Sequence, residues 1–585
     1  MLLVRLPSET IIRILGLAEP IDIRRCQLVC RRLRELVTTS SYLQYILELD
    51  TCGYTVPLVS RSDLNYEEMI RILQDHRKAW QDPSSRDPEF IELPSRGIVN
   101  PRFVEGVLAY GYVQRGIELG RVELMDEIHF HRLRSTNTDI SYLYWHHCDF
   151  GFPIEAFAIQ PEIDLLVLVE GVVLKQEDVD EPDWGTTRIS HKTYRLHFLT
   201  MSTNTSHSLA EWPVLDTRLS GLSNSNESRD TKIAISLNGR MIMLVSSTRN
   251  LTVENTIAVW DWVKGNEVLR ISVPLFQINE HAIIPRFDSS LLSEDYVIVS
   301  CTAEGGMVKT PPPSVLEGVV QMGSLNIYHL RSESNRARGI ATFELPSLSI
   351  PHAKWSIHLA SGPAKVPWTS YWLARIKQTP RVYETAPHDG MFCLFIAIQI
   401  ADPSDPYYEE MNPYPSLLHV PVRTLLEYLD TKHGDHPIVI PWNDWGVRVT
   451  WININSWSYP PFGLASISGL RHSIQGFRYY TSVNGQDSES ACDPQVILDF
   501  NPQRLRFRRS IGYAGHEKHH PFLASNEAAG TKFMTQLAPY GELMFETPVN
   551  LAPSYSRIPI NVDTPPKKIA GLPIMVDDEH STCTT

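Results

Sequence analysis

Three histidine groups are the residues best placed to hold a metal: His129 with His131, His146-His147-Cys148, and His516 with His519 and His520. Zinc takes four ligands, usually as two closely spaced pairs, and none of these groups has a second pair at such spacing. They read as surface or loop histidines. Acidic runs occur at Glu409-Glu410 and Asp577-Asp578-Glu579. Such runs are usually solvated, and nothing places two carboxylates across a cleft as glycoside hydrolysis requires. The chain has no Gly-x-Gly-x-x-Gly, no phosphate loop and no Gly-x-Ser-x-Gly. Cys26 and Cys30 lie four apart on an apolar helical stripe, so they read as buried thiols or partner contacts. Arg504, Arg506 and Arg508 alternate with Leu505 and Phe507. On a strand this makes one basic face, suited to phosphate, a phosphorylated target or an acidic peptide, or else a charged edge protected against pairing. No catalytic residue, metal or cofactor is expected, and the chemistry that remains is binding.

The clearest binding residues are apolar and N-terminal. Leu6-Pro7-Ser8-Glu9 precedes Ile11, Ile12, Ile14 and Leu15 at helical spacing. Pro7 suits a first-turn position, with Ser8 as the alternative cap. Gly16 and Glu19-Pro20 end the first helix, and Asp22 favours the start of the next. Ile23, Cys26, Cys30, Leu33 and Val37 then recur at gaps of three and four as one buried stripe, backed by Arg24, Arg25, Arg31, Arg32 and Arg34. About fifty residues in two or three amphipathic helices are marginal alone, so a partner surface is the natural place for the surplus apolar area.

The order LPxE, apolar helix, Asp-Ile, Val29-Cys30-Arg31 resembles the F-box. That module docks substrate receptors onto the Skp-type adaptor of SCF (Skp–cullin–F-box) ubiquitin ligases. Leu33 stands where the family often has Trp, which keeps an apolar contact with less area. The resemblance implies adaptor binding through Leu6, Pro7, Ile11, Ile14, Leu15, Ile23, Val29 and Leu33, some as anchors and some as the core that positions them.

At 585 residues the chain is longer than one usual domain. Its formal charge of −14, from 53 basic and 67 acidic residues, argues against a general nucleic-acid binder. The longest apolar runs, Leu165–Leu174 and Met391–Ile400, are too short to span a membrane. The 8 cysteines are scattered, which gives no disulfide framework and points to the cytosol or nucleus.

Further helices are expected over Tyr42–Tyr54 and Leu64–Trp80, the latter with Met69, Ile72, Leu73, His76 and Trp80 on one face. After Pro94 short apolar or alternating runs take over, among them Leu165–Val173, Lys192–Leu199, Trp372–Ile376 and Val447–Ile452. Asn238-Gly239 is a hairpin signal, and Asn484-Gly485 and Asp389-Gly390 mark further turns. Lys232–Val273 is similar to a WD-repeat propeller blade, with Trp260-Asp261 ending its third strand. The region from 100 onward has room for six to eight expanded blades, with a two-sheet or mixed β architecture as the alternative. One helix, with Val422, Leu425, Leu426 and Leu429 on one face, should lie on a sheet edge. Pro441-Trp442-Asn443-Asp444-Trp445-Gly446 and Asp499-Phe500-Asn501-Pro502 look like stretches of the expanded F-box families of basidiomycete fungi. Insertions are expected at 303–323, 402–416, 482–494 and 515–532, offering Tyr407, Tyr408 and Tyr414 as rigid aromatic contacts.

The expected fold class is α+β and multidomain. A small all-α F-box (1–50) and a helical connector (51–95) precede a large all-β domain (96–562) read as a degenerate β-propeller. A C-terminal segment (563–585) supplies a closing strand and a frayed tail. The expected function is a non-enzymatic substrate receptor of an SCF ligase. It would bind the adaptor, and through it the cullin–RING ligase, and a target protein, with no nucleic acid and no membrane as partner. The target contacts would be Tyr407, Tyr408, Tyr414, Arg504, Arg506 and Arg508. The alternatives are an F-box scaffold without ubiquitin transfer and a propeller hydrolase.

Overall fold

A computed structural model of the chain describes residues 5–81, 98–113, 124–181, 185–224, 231–247 and 255–273, shorter stretches of 276–499, and strands at 556–560, 574–576 and 581–583. Helix α1 (Ser8–Leu15) begins behind Pro7, whose carbonyl accepts from Thr10 N and Ile11 N, both at 3.1 Å. It ends at Gly16. Helix α2 (Pro20–Val29) opens on a proline, whose missing N–H costs nothing there.

The stripe from Ile23 to Val37 is not one helix. Cys30 is fully extended (φ −158, ψ 162) and starts a new helix, α3 (Arg31–Thr39). Its carbonyl accepts from Arg34 N at 3.1 Å. The Arg34 guanidinium donates to Gln27 O at 3.1 Å, giving a partner to a carbonyl that the break leaves open. Leu33 and Val37 thereby join Ile11, Leu15, Ile23, Leu43 and Ile46 in one core, while Cys26 and Cys30 are only partly buried. Helix α4 (Ser41–Cys52) is capped by Ser40 and closed by Gly53, whose φ of 78 is left-handed. Helix α5 (Tyr66–Gln81) starts with a reciprocal capping box. Glu68 N donates to Asn65 Oδ1 and Asn65 N to Glu68 Oε2, both at 3.0 Å.

Among the described residues, six sheets of four antiparallel strands or more follow in chain order. Strand β1 (Tyr54–Thr55) stands apart and pairs with Glu384–Thr385. The first sheet is β2 (Ile98–Val104), β3 (Val107–Tyr112), β4 (Glu127–Arg132) and β5 (Leu143–His147). The second is β6 (Ile154–Gln160), β7 (Leu165–Glu181), β8 (Gly185–Thr200) and β9 (Val214–Asn224). The third is β10 (Lys232–Asn238), β11 (Met241–Ser247), β12 (Asn255–Asp261) and β13 (Asn266–Val273). The fourth runs from Phe287 to Glu344 and gains a parallel edge strand, Ile438–Ile440. The fifth lies between Ala353 and Asn453, and the sixth between Ser466 and Ile560. The first strand of each sheet neighbours the first strand of the next.

Strand periodicity explains how the sheets stack. In β6, Phe157 and Ile159 pack with the first sheet, while Ala156 and Ala158 pack with the third. In β11, Ile242 and Leu244 face the second sheet and Met241 and Met243 the fourth. Both faces are buried, so these strands read as continuous apolar runs. The third sheet matches the blade-like strand order read from Lys232 to Val273. Asn238 pairs with Met241 across a two-residue turn in which Gly239 has φ 57. The buried Trp262 donates from Nε1 to Gly239 O at 2.9 Å.

Several expectations need correction. Strands β7 and β8 run far beyond Val173 and Lys192, because their outer halves are polar and carry no apolar signal. Val447–Ile452 is not one strand. A short helix, Trp442–Trp445, and a 3-10 turn, Gly446–Arg448, precede the strand Thr450–Asn453. Trp445 is buried and donates from Nε1 to Glu344 O at 3.0 Å, which ties this turn to the fourth sheet. The β region therefore holds a second helix beside Val422–Asp430, whose Val422, Leu425 and Leu429 pack on the core shared by the fourth and fifth sheets. Part of 482–494 forms a hairpin, Tyr480–Val483 with Gln486–Glu489. The tail carries a hairpin strand at Ser581–Cys583. Trp372–Ile376 lies outside the described residues.

One segment, 381–385, fastens the helices to the sheets. Asn137 Oδ1 accepts from Val382 N at 2.8 Å and Tyr383 N at 3.0 Å, and its Nδ2 donates to Tyr383 O at 3.2 Å. The Tyr45 hydroxyl donates to Val382 O. Tyr54 stacks on Tyr383 with centroids 4.4 Å apart. His76 sits between their hydroxyls, 2.8 Å from Tyr54 and 3.3 Å from Tyr383, as a packed histidine. Arg381 bridges Glu105 at 3.2 Å and Glu162 at 3.1 Å. Burial opposes the charge on Arg381, but these carboxylates outweigh it and raise its pKa.

Candidate adaptor-binding surface

The structure sorts the eight N-terminal residues by burial. Ile11, Leu15, Ile23 and Leu33 are at most 3% exposed and form the core of the helical unit. Leu6 is half-buried, and Pro7, Ile14 and Val29 face solvent. Sequence reasoning missed three exposed neighbours: Leu17 at 91%, Leu28 at 79% and Ile21 at 42%. They fall off the 3-and-4 stripe that marks the core, and that absence from the stripe was the available signal. An apolar residue beside a stripe, on a unit too small to bury it, is free for a partner.

The same helices set the charge around this surface. Arg31 pairs with Glu35 one turn on, an exposed i,i+4 contact worth little by itself. Arg32 donates to Leu6 O at 2.9 Å and so holds the approach to α1 against α3. Arg24 reaches Asp50 and Thr51 of α4, which fixes α2 on that helix. Two residues earlier on α4, burial raises the Glu48 pKa against the opposing pull of Arg77 of α5, whose guanidinium is 2.6 Å away. The exposed apolar side chains thus belong to a unit whose α1 approach is held to α3 and whose α2 is held to α4.

The other candidate residues are placed as follows. His129 and His131 are on paired strands rather than in loops. His129 stacks on Tyr110 (5.1 Å) and His146 (5.3 Å), and His131 is buried. Tyr144 and Tyr142 hydroxyls lie 2.9 Å from Nδ1 of His129 and His131. Burial first, and the neighbouring His129 second, push the His131 pKa down to about 4. Among the described residues no cluster of three or more His, Cys, Asp or Glu is placed to hold a metal ion. Tyr414 does not lie in an insertion: it opens a strand, opposite Ile398. Tyr407, Tyr408, Arg504, Arg506 and Arg508 lie outside the described residues. Among the described residues, no helix is long and apolar enough to cross a membrane.

Residues 3–44 match the F-box-like family. The match covers α1–α3 and the start of α4, and it suggests a role in binding the adaptor of SCF ligases. No curated protein matches the chain. Among solved structures, the chain aligns with the uncharacterized protein lmo1340 from Listeria monocytogenes EGD-e at 8% identity. The alignment covers 54% of this chain and 66% of that one, with a TM-score of 0.22, and carries no argument.

Proposed function

We propose that this chain is the substrate-recognition subunit of an SCF ubiquitin ligase, working in the cytosol or nucleus. The observation that carries the reading is the exposed apolar set Pro7, Ile14, Leu17, Ile21, Leu28 and Val29, displayed within the F-box-like match by a unit whose own core is already filled. The adaptor covers that set. The β region binds a target protein and holds its lysines near the charged ubiquitin carrier, so the rate gain is one of effective concentration. Ubiquitin transfer belongs to the carrier, and this chain contributes no catalytic group.

The β region is read as a degenerate six-bladed propeller, an expanded relative of the F-box architectures of basidiomycete fungi. Six sheets in series, with neighbouring first strands, support this reading. Segment 381–385 supports the receptor role by fixing α4 and α5, on which the adaptor-binding helices pack through α4, to the first two sheets.

The test is affinity purification of the full chain and of a chain lacking 1–50, with the proteasome blocked. Targets should bind both forms and carry ubiquitin only with the first. Partners that bind both forms and are never ubiquitinated would instead make the chain a scaffold.

A further inference from the structure

The β7–β8 hairpin is longer than the sheet that holds it. Strand β6 pairs with β7 only as far as Ile154↔Glu170, while β7 stays paired with β8 out to Glu181↔Gly185. Strand β9 accompanies β8 as far as Ile189↔Asn224. Among the described residues, Gly171–Glu181 of β7 therefore has a neighbour on one side alone. The end of the β6–β7 ladder is locally irregular. The β6–β7 register shifts between Ile154 and Ala156, and the Glu155 side chain crosses Gly171 to reach Lys192 Nζ at 2.8 Å. A side chain at Gly171 would collide with that carboxylate, so a glycine is required beneath it.

The open edge extends roughly 37 Å at about 3.4 Å per residue, more than the length of an ordinary strand. It offers a row of backbone donors and acceptors to another chain. Val173 and Leu174 are exposed, at 46% and 69%. Beyond them β7 carries four acids, Glu177, Asp178, Asp180 and Glu181, against two bases of the hairpin: Lys175, which Glu177 already pairs, and Arg188 of β8, which stands opposite Asp178 in the ladder. Two devices that blunt natural edges are present, a register shift between Val173 and Lys175 and that lysine itself. The lysine is neutralised, however, and the ladder with β8 is unbroken from Lys175 to Glu181.

We propose that this edge takes an extended target segment as an added strand, and that the segment carries aliphatic residues interleaved with lysine or arginine. The backbone ladder would supply affinity, and the acidic end would select for basic residues. This rests on the receptor reading above and names its target class.

The test titrates the full chain with a labelled ten-residue peptide of alternating valine and lysine. Binding should be saturable and should weaken with salt. The same peptide N-methylated at alternate amides keeps its charge but loses ladder donors, and should bind at least about tenfold more weakly. A Glu177→Lys, Asp178→Lys, Asp180→Lys variant should lose a similar factor, while reversal of Asp577, Asp578 and Glu579 should not. Absent saturable binding, equal binding of the methylated peptide, or equal loss from the tail reversal would each overturn the proposal. Adaptor binding is measured on the same samples. Its retention beside failed peptide binding sinks the edge alone, whereas its absence in the wild-type chain sinks the receptor reading.

Discussion

Replacing Asn137 with Ala should loosen the joint between the helices and the sheets without touching the adaptor surface. The side chain makes three hydrogen bonds to the backbone of Val382 and Tyr383 at 2.8–3.2 Å, and Asn137 is buried. Val382 N keeps a second acceptor in the substitution, the backbone carbonyl of residue 137, which lies 3.2 Å away. The Tyr383 N–H and C=O lose this partner in a buried site, and each such loss costs about 1–3 kcal/mol. Two losses come to about 3 kcal/mol, or roughly a hundredfold in a local opening equilibrium. Global unfolding is the wrong assay for a chain of several sheets and a helical unit, because no single two-state free energy describes it. Hydrogen exchange resolved by peptide is the right one. Protection over 381–385 should fall by about that factor, with a smaller fall at Tyr45 and Tyr54, while α1–α3 stay protected. Protection at 381–385 unchanged within about threefold would refute the reasoning, as would an equal loss across α1–α3.

Three further outcomes follow from individual side chains. Leu15→Ala removes a core side chain and should destabilise the helical unit by about 2–5 kcal/mol, read by thermal melting of its helical signal, whereas Leu28→Ala should leave that melt in place. Trp262→Phe deletes the Nε1–H bond to Gly239 O and should cost about 1 kcal/mol, seen as faster exchange across the β10–β11 turn. For His131 the folded pKa is about 4, below the ordinary value near 6.5, so between these pH values the unfolded chain binds more protons. Its contribution is present in full above pH 6.5 and is lost as pH falls toward 4, by about 3 kcal/mol at most. His131→Asn should flatten that dependence in β4 exchange, and an unchanged slope would contradict the assignment.

The sequence exposed whatever is apolar and local. Four helical stretches near the N-terminus, the Val422–Asp430 helix and the third sheet were legible because their buried positions recur at 3.6 or 2 residues and many of their turns carry Gly or Pro. The break at Cys30 was not legible, since no Gly or Pro marks it and the bond from Arg34 to Gln27 that supports it is tertiary. The outer halves of β7 and β8 were missed because polar residues dominate Lys175–Glu181 and Gly185–His191, and β9 was missed because its apolar residues do not alternate strictly. Segment 381–385 was missed because its partners, Asn137, Tyr45, Glu105 and Glu162, are far away in the chain. For the candidate site, the periodic stripe yielded the core, Ile11, Leu15, Ile23 and Leu33, more readily than the exposed contacts Leu17, Ile21 and Leu28 that a partner would meet.

The central claim is tested most directly by calorimetric titration of the full chain with a Skp-type adaptor, wild type against a Leu17→Asp, Leu28→Asp, Val29→Asp variant. Burying such side chains is worth about 1.5–3 kcal/mol each, so the variant should bind at least about a hundredfold more weakly. Its helical signal should be unchanged, because all three residues are exposed. Adaptor binding of equal strength in the two proteins would contradict the account, as would binding retained by a chain lacking residues 1–50.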